Sequence, residues 1–148
     1  MARRTEKAVL AAGARAEVVA VKAPVDLERA FSLLKQAKVD GLLIEQSPVF
    51  IFQAKKLAEL AAEAKLPAIY PLSNYTQVGG LASLGPDLAD NLQHTAGYIG
   101  KILNGANPAN LAVEGSEKTF LTVNSKAAKD LGIDIPPPVQ SRADSIIE

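Results

Sequence analysis

Few side chains in this chain can do covalent chemistry. His94 is the lone histidine and there is no cysteine. Thiolate nucleophiles, disulfides and thiolate metal sites are therefore excluded, and no second histidine can complete a metal site. Lying within a long helical pattern, His94 reads as a partly exposed structural histidine. No Gly-x-Ser-x-Gly elbow exposes a serine for a Ser-His-Asp arrangement. Gly79-Gly80 with Gly85 fits neither the Walker pattern nor Gly-x-Gly-x-x-Gly, so these glycines read as backbone turns. Asp87 and Asp90 have the spacing of a helix cap and a first-turn charge, and nothing points to paired-carboxylate hydrolysis. No enzyme activity and no cofactor are expected. What remains is binding chemistry. Tyr70 and Tyr75 either fill the rim of the core or wall a cleft, the ring packing on a ligand and the hydroxyl orienting it. Gln46 and Ser47 are either turn and capping residues or hydrogen-bond donors to a ligand. Phe50 and Phe52 read as core.

The elements that must position these residues follow from hydropathy. Residues 2–14, rich in Ala, Arg and Lys, look helical, and Glu17-Val18-Val19-Ala20-Val21 reads as a strand. Pro24 suits a first helical turn, with Asp26 and Glu28 near its positive end. Leu27, Ala30, Phe31, Leu34 and Ala37 mark one apolar face, which predicts a helix over 25–38. The run 41–44 reads as a strand covered on both faces. A second helix ends before Pro67, and strands follow at 68–70 and 81–84. A third helix spans 87–103, with Leu88, Leu92, Ala96, Ile99 and Leu103 inward and Asn104-Gly105 as its stop. Residues 104–117 make a linker, and 119–123 alternates like a strand at a sheet edge. A short helix is expected from Ser125 to Leu131, then Pro136-Pro137-Pro138 as an extended spacer before a last helical turn. Alternation of strand and helix implies an α/β sheet of parallel strands with right-handed crossovers. Such sheets bind ligands at strand carboxyl ends, where the strand order switches. Here those ends are Glu45-Gln46-Ser47, residues 70–75, and Gly85-Pro86-Asp87, and all are polar.

The 148 residues suit one domain with a sizeable core, and 48% hydrophobic against 22% charged is a globular composition. Sixteen basic and sixteen acidic side chains cancel, leaving no field to draw in a phosphate backbone, so nucleic acid is not an expected partner. No apolar run is long enough to span a membrane. The apolar stretch near Val9 is too short for a secretory core, so no export signal is expected in these residues.

Several segments, in order, carry a resemblance. They are Leu66-Pro-Ala-Ile-Tyr-Pro, Val78-Gly-Gly-Leu-Ala-Ser-Leu-Gly-Pro-Asp-Leu-Ala-Asp, and Ala96-Gly-Tyr-Ile-Gly-Lys-Ile-Leu-Asn-Gly-Ala-Asn-Pro-Ala-Asn-Leu-Ala-Val-Glu. Phe120-Leu-Thr-Val-Asn-Ser-Lys-Ala-Ala-Lys-Asp-Leu-Gly-Ile-Asp-Ile-Pro and Arg142-Ala-Asp-Ser-Ile-Ile-Glu complete the set. Over residues 17–148 the chain resembles the C-terminal half of ABC-transporter substrate-binding proteins of the tryptophan/tyrosine-type uptake family. The resemblance implies a three-layer parallel-sheet lobe of the type I periplasmic-binding fold, flavodoxin-like and incomplete relative to the family. It implies a solute held between two lobes, a membrane permease as partner, and a periplasmic or cell-surface location. Most of the first lobe and the export signal would be missing. Residues 1–105 would form the ligand-binding lobe, and 106–148 a hinge crossover with a strand and helix returning to the absent lobe. The cleft-facing set implied is Gln46, Ser47, Tyr70, Ser73, Asn74, Tyr75 and Asp87. Asn74-Tyr75-Thr76-Gln77 lacks the charged-aromatic pair relatives often carry there, and Ser83-Leu84-Gly85 stands where relatives often have Ser-Tyr-Gly, so ligand identity stays open. The alternative expectation is a stand-alone lobe without ligand affinity of its own, self-associating as a homodimer in which 118–148 packs on a neighbour through an apolar surface left uncovered around 118–135.

Overall fold

The computed structural model describes residues 2–112 and 118–148. Helix α1 spans Ala2–Ala11, and α2, Leu27–Gln36, is entered through a 3-10 turn at Pro24–Asp26. The Asp26 carboxylate accepts the amides of Lys22 and Ala23 (3.3 and 3.0 Å), satisfying donors that precede the helix. Strand β1 is Leu42–Leu43, followed by α3, Pro48–Phe52, and α4, Ala54–Glu63. Then come β2, Ala68–Tyr70, and a four-residue helix α5, Asn74–Gln77. Strand β3, Ala82–Pro86, feeds the long α6, Leu88–Leu103. The chain closes with β4, Thr119–Asn124; α7, Ser125–Leu131; α8, Pro137–Arg142; and β5, Ser145–Ile147.

The core lies on one face of the sheet. Leu27 and Phe31 from α2 and Ala54, Leu57 and Ala61 from α4 pack on Ala68 and Tyr70 of β2, with Leu72 and Tyr75 below. Removing a Leu or Phe side chain from water in this way contributes about 1.5–3 kcal/mol each. The other face is barely covered. Leu43, Ile69, Leu84 and Ile146 share it by register and are 45–53% exposed, while Val123 alone of its paired residues is buried. Strand 41–44 was expected to be covered on both faces; Leu43 is not.

The five strands run in the order β1-β2-β3-β4-β5, so the described sheet has no point at which strand order reverses. Strands β1, β2 and β3 are parallel, as are β4 and β5, but β4 runs antiparallel to β3 through five residue pairs from Ala82↔Val123 to Pro86↔Thr119. The sheet is thus mostly parallel, as expected of an α/β lobe, with one antiparallel pairing between β3 and β4, and β4 is an inner strand, not the edge strand expected. Thr122, Val123, Asn124 and Ala128 are consequently buried, so residues 118–135 are not the uncovered surface the homodimer expectation relied on. Within this chain, β4 and β5 complete the same sheet as β1–β3.

Three local expectations also change. Residues 17–21 form no strand. Pro137–Arg142 is helical, because proline fits the first helical positions, where no amide partner is needed. Ser145–Ile147, where no strand was expected, pairs with β4. In the linker, Asn107 caps a 3-10 turn at Pro108–Asn110, and residues 113–117 lie outside the described residues.

Candidate functional site

The parallel β1, β2 and β3 bring their carboxyl ends to one edge of the sheet, and β4, running the other way, begins there. Gly85 pairs with Phe120 and Pro86 with Thr119. Ser73, Gly85, Pro86, Asp87 and Phe120 line a shallow hollow of about 90 Å³ at this edge. Its narrowness depends on Gly85. A Cβ there would lie 1.8 Å from the Pro71 carbonyl oxygen, so only glycine lets the loop after β2 press against the end of β3.

Of the expected site residues, the structure brings Ser73 and Asp87 together in the hollow. Asn74 follows Ser73 as the first residue of α5, and its Oδ1 is buried without a hydrogen-bond partner among the described residues. Such an acceptor costs about 1–3 kcal/mol while unpaired. Gln46 and Ser47 lie at the end of β1 outside the hollow, and Ser47 precedes α3 without a side-chain cap, its carbonyl accepting from Phe50 and Ile51. Glu45 beside them is engaged, its Oε1 accepting from the Thr5 hydroxyl of α1 (2.5 Å). The Asp87 carboxylate caps α6, accepting from the amides of Ala89 (2.8 Å) and Asp90 (3.4 Å). The capping reading of Asp87 therefore holds, and its charge already answers the helix dipole.

Tyr70 and Tyr75 are core residues, 1% and 0% exposed, with rings stacked 5.0 Å apart at 16°. Between the two readings of these tyrosines, the structure gives the one in which they fill the rim of the core. Gly80 makes this possible: a Cβ there would sit 2.7 Å from the Tyr70 ring and 2.8 Å from the Tyr75 carbonyl oxygen. That same carbonyl accepts the Gly80 amide at 2.8 Å. Burial, and then the neighbouring Tyr75, push the Tyr70 phenol up to about 12, and burial also raises Tyr75. Both phenols stay neutral near pH 7. The loop is tied further down, where Thr76 Oγ1 donates to the Ser73 carbonyl (2.6 Å) and Asn124 Nδ2 donates to the Thr76 carbonyl (2.9 Å).

Pattern reading placed Pro86 at a strand's carboxyl end but missed Phe120 as a lining residue beside it. They meet only through antiparallel pairing of segments more than thirty residues apart, and a short alternating run such as 119–123 carries no mark of its partner. His94 lies on α6 with a partly exposed side chain, its Nε2 3.7 Å from Asp90, and no group of metal-ligating side chains occurs among the described residues. Among those residues no helix is long and apolar enough to cross a membrane.

The profile of a family described as ABC transporter substrate binding protein matches residues 2–147. Among solved structures, the chain is similar to a conserved domain protein from Vibrio cholerae O1 biovar El Tor, at 26% identity and a TM-score of 0.87, over 98% of this chain and 49% of that one. It is also similar to an ABC domain from Streptococcus pneumoniae in complex with L-Trp, at 25% identity and a TM-score of 0.88, over 99% of this chain and 49% of that one. A ligand-free, open substrate-binding protein with adhesive properties from Clostridium difficile shares the fold at 21% identity and a TM-score of 0.69, over 99% and 48%. The chain thus spans about half the length of the solved structures it matches. No curated protein matches it.

Proposed function

Because this chain belongs to the ABC transporter substrate-binding protein family, we propose that it forms one wall of a cleft that binds a small solute. The observation that carries this reading is the convergence of the β2 and β3 carboxyl ends with the start of β4 on the hollow between Ser73, Asp87 and Phe120. A hollow of about 90 Å³ is far below the roughly 300–1,000 Å³ that enclose a small ligand. The opposite wall therefore belongs to the half of the fold that these residues do not span. Closing that wall over a solute would shift the receptor toward a closed state that a membrane permease can distinguish. Such a receptor works in the periplasm or at the cell surface.

For the ligand we favour an amino acid or a related organic solute. Ser73 and Asp87 offer polar groups to the ends of such a solute, and Phe120 offers apolar surface to a side chain. The Streptococcus pneumoniae relative holds L-Trp. Gln46 and Ser47 extend the wall along β1. Tyr70 and Tyr75 act from beneath, holding the Ser73–Asn74 loop in place without touching the solute.

An NMR titration of the chain with L-amino acids tests this. Amide shifts should be confined to residues 71–75, 85–88 and 119–121, with a Kd of about 1 mM or weaker, since this wall supplies only part of the contacts. Shifts scattered over the surface, or none with any amino acid or small organic acid, would remove the reading. Micromolar binding by calorimetry would show that the wall suffices alone and that no second lobe is needed.

A further inference from the structure

The glycine that stops α6 also leaves a labile side chain unprotected. Asn104 is the C-cap of the helix, and Gly105 follows it in the left-handed conformation, with φ +94°. The Ala106 amide donates to the Lys101 carbonyl (3.0 Å) and the Gly105 amide to the Ile102 carbonyl (2.9 Å). These paired bonds make the glycine-dependent helix ending in which the backbone changes hand after the cap. A side chain at 105 would be strained, so the fold favours glycine there. The surroundings are open, since an added Cβ at 105 would meet nothing within 4 Å. The amide nitrogen after Asn104 therefore has no side chain to shield it.

Asparagine is thermolabile because the backbone nitrogen of the next residue can attack its side-chain carbonyl carbon, closing a five-membered ring. Asn104 and Gly105 are both exposed. The other asparagines are better protected. Pro108 follows Asn107 and has no N–H to give up. Leucines follow Asn91 and Asn110, and their branched side chains crowd the attacking nitrogen. Asn124 is buried, its Oδ1 accepting from the Ala127 amide (2.8 Å) and its Nδ2 donating to the Thr76 carbonyl (2.9 Å). Asn74 precedes the bulky, fully buried Tyr75. At Asn104 the one restraint is the bond from the Gly105 nitrogen to Ile102, so attack waits for the last turn to open. Opening is easy here, because no residue of α6 is buried.

We propose that Asn104 is a site of spontaneous deamidation, gated by opening of the last turn of α6. The Gly105 nitrogen passes its proton to solvent and bonds to Asn104 Cγ. The bond from Cγ to the side-chain nitrogen then breaks and ammonia leaves. Water opens the cyclic imide at either carbonyl, giving aspartate or iso-aspartate, and nothing is oxidised or reduced. Either product puts a negative charge at the carboxyl end of α6, where it opposes the helix dipole. Iso-aspartate also adds a methylene to the backbone, so the bonds from Gly105 and Ala106 cannot both re-form in their present register. The modified chain loses the last turn of α6 while β3 and β4 stay paired.

The test ages the chain in mildly alkaline buffer beside a synthetic peptide of residues 101–108, with peptide mapping by mass spectrometry. Residue 104 should convert first in the chain, with iso-aspartate the larger product, and about threefold or more slowly than in the peptide. Asn104→Gln should abolish conversion at this position. Gly97→Ala and Gly100→Ala strengthen α6 without altering residues 104 and 105, and each should slow conversion by about twofold or more. In the aged chain, helical NMR shifts should fade over 100–103 while those of β3 and β4 hold. If an alanine variant does not fold, the comparison of native chain with peptide still decides the matter. Conversion first at Asn107 or Asn110 would overturn the proposal, as would an unchanged chain once the peptide has converted. Equal rates in chain, peptide and alanine variants would overturn the gate. None of these outcomes depends on whether the hollow binds a solute.

Discussion

Tyr70 has lost almost all contact with water, and that loss dictates how the protein responds to alkali. Its phenol titrates near 10 in an unfolded chain and is pushed up to about 12 here. Between those values the folded state holds a proton that the unfolded state has released. Stability from this group is therefore complete below pH 10 and is lost as pH rises through 12, an effect of about 3 kcal/mol, with Tyr75 adding in the same direction. Tyr70→Phe keeps the stacked ring and removes the titration. Urea midpoints measured from pH 9 to 11.5 should fall steeply for the native chain and less for the variant, and parallel curves would contradict the assignment. Gly85 makes a second residue-level case. A Cβ 1.8 Å from the Pro71 carbonyl meets backbone that cannot swing aside, so Gly85→Ala should cost about 3 kcal/mol in urea unfolding and displace the Ser73 loop from Asp87. These residues also show where pattern reading stops. Asp87 before a helical run was legible as a cap because capping is local. A tyrosine before Pro71 looks the same in sequence whether it faces a cleft or a core, and what buries it is Gly80, ten residues away.

Helix α6 shows what periodicity does and does not determine. Leu88, Leu92, Ile99 and Leu103 recur at helical spacing, and the helix forms where that spacing predicts, but none of its residues is buried. Periodicity fixes a face; it does not supply a neighbour. Gly97 and Gly100 sit mid-helix with nothing within 4 Å of an added Cβ. Gly97→Ala and Gly100→Ala should each stabilise α6 by about 0.5–1 kcal/mol, through lower backbone entropy in the unfolded chain. Asp87→Ala removes the N-cap and should cost about 1 kcal/mol. Because α6 contributes nothing to the core, that loss should appear as fraying of α6 in NMR helical shifts, with little change in the global unfolding midpoint. The remaining elements divide along the same line. The helix expected over 25–38 and the strand at 68–70 were legible because both are packed within this chain. Residues 17–21 have strand composition yet no ladder, since a strand is defined by partners that composition does not provide. Ser145–Ile147 is too short for a period to show, and it becomes a strand only because β4 lies beside it.

At the scale of the molecule, the sheet is stabilised from one side. The tightly buried Leu57 and its neighbours occupy the face under α2 and α4, whereas Leu43, Ile69, Leu84 and Ile146 stand about half in water on the other. An α/β sheet ordinarily carries helices on both faces, and among the described residues this second face is only thinly covered. The two faces should answer mutation differently. Leu57→Ala opens a cavity where neighbours cannot collapse and should cost about 2–5 kcal/mol. Replacing Ile69, Leu84 and Ile146 together by threonine keeps residues that suit strands and changes a surface already wet, so each should shift stability by no more than about 0.5 kcal/mol. The same triple change breaks up an apolar patch of the kind that drives association. Titration with a hydrophobic dye should show less dye bound for the variant, with only a small change in urea midpoint. A loss of more than about 2 kcal/mol would mean that this face is covered in solution. The half-exposed state of Leu43, Ile69, Leu84 and Ile146 would then not describe this face, and the one-sided account of the core would fall.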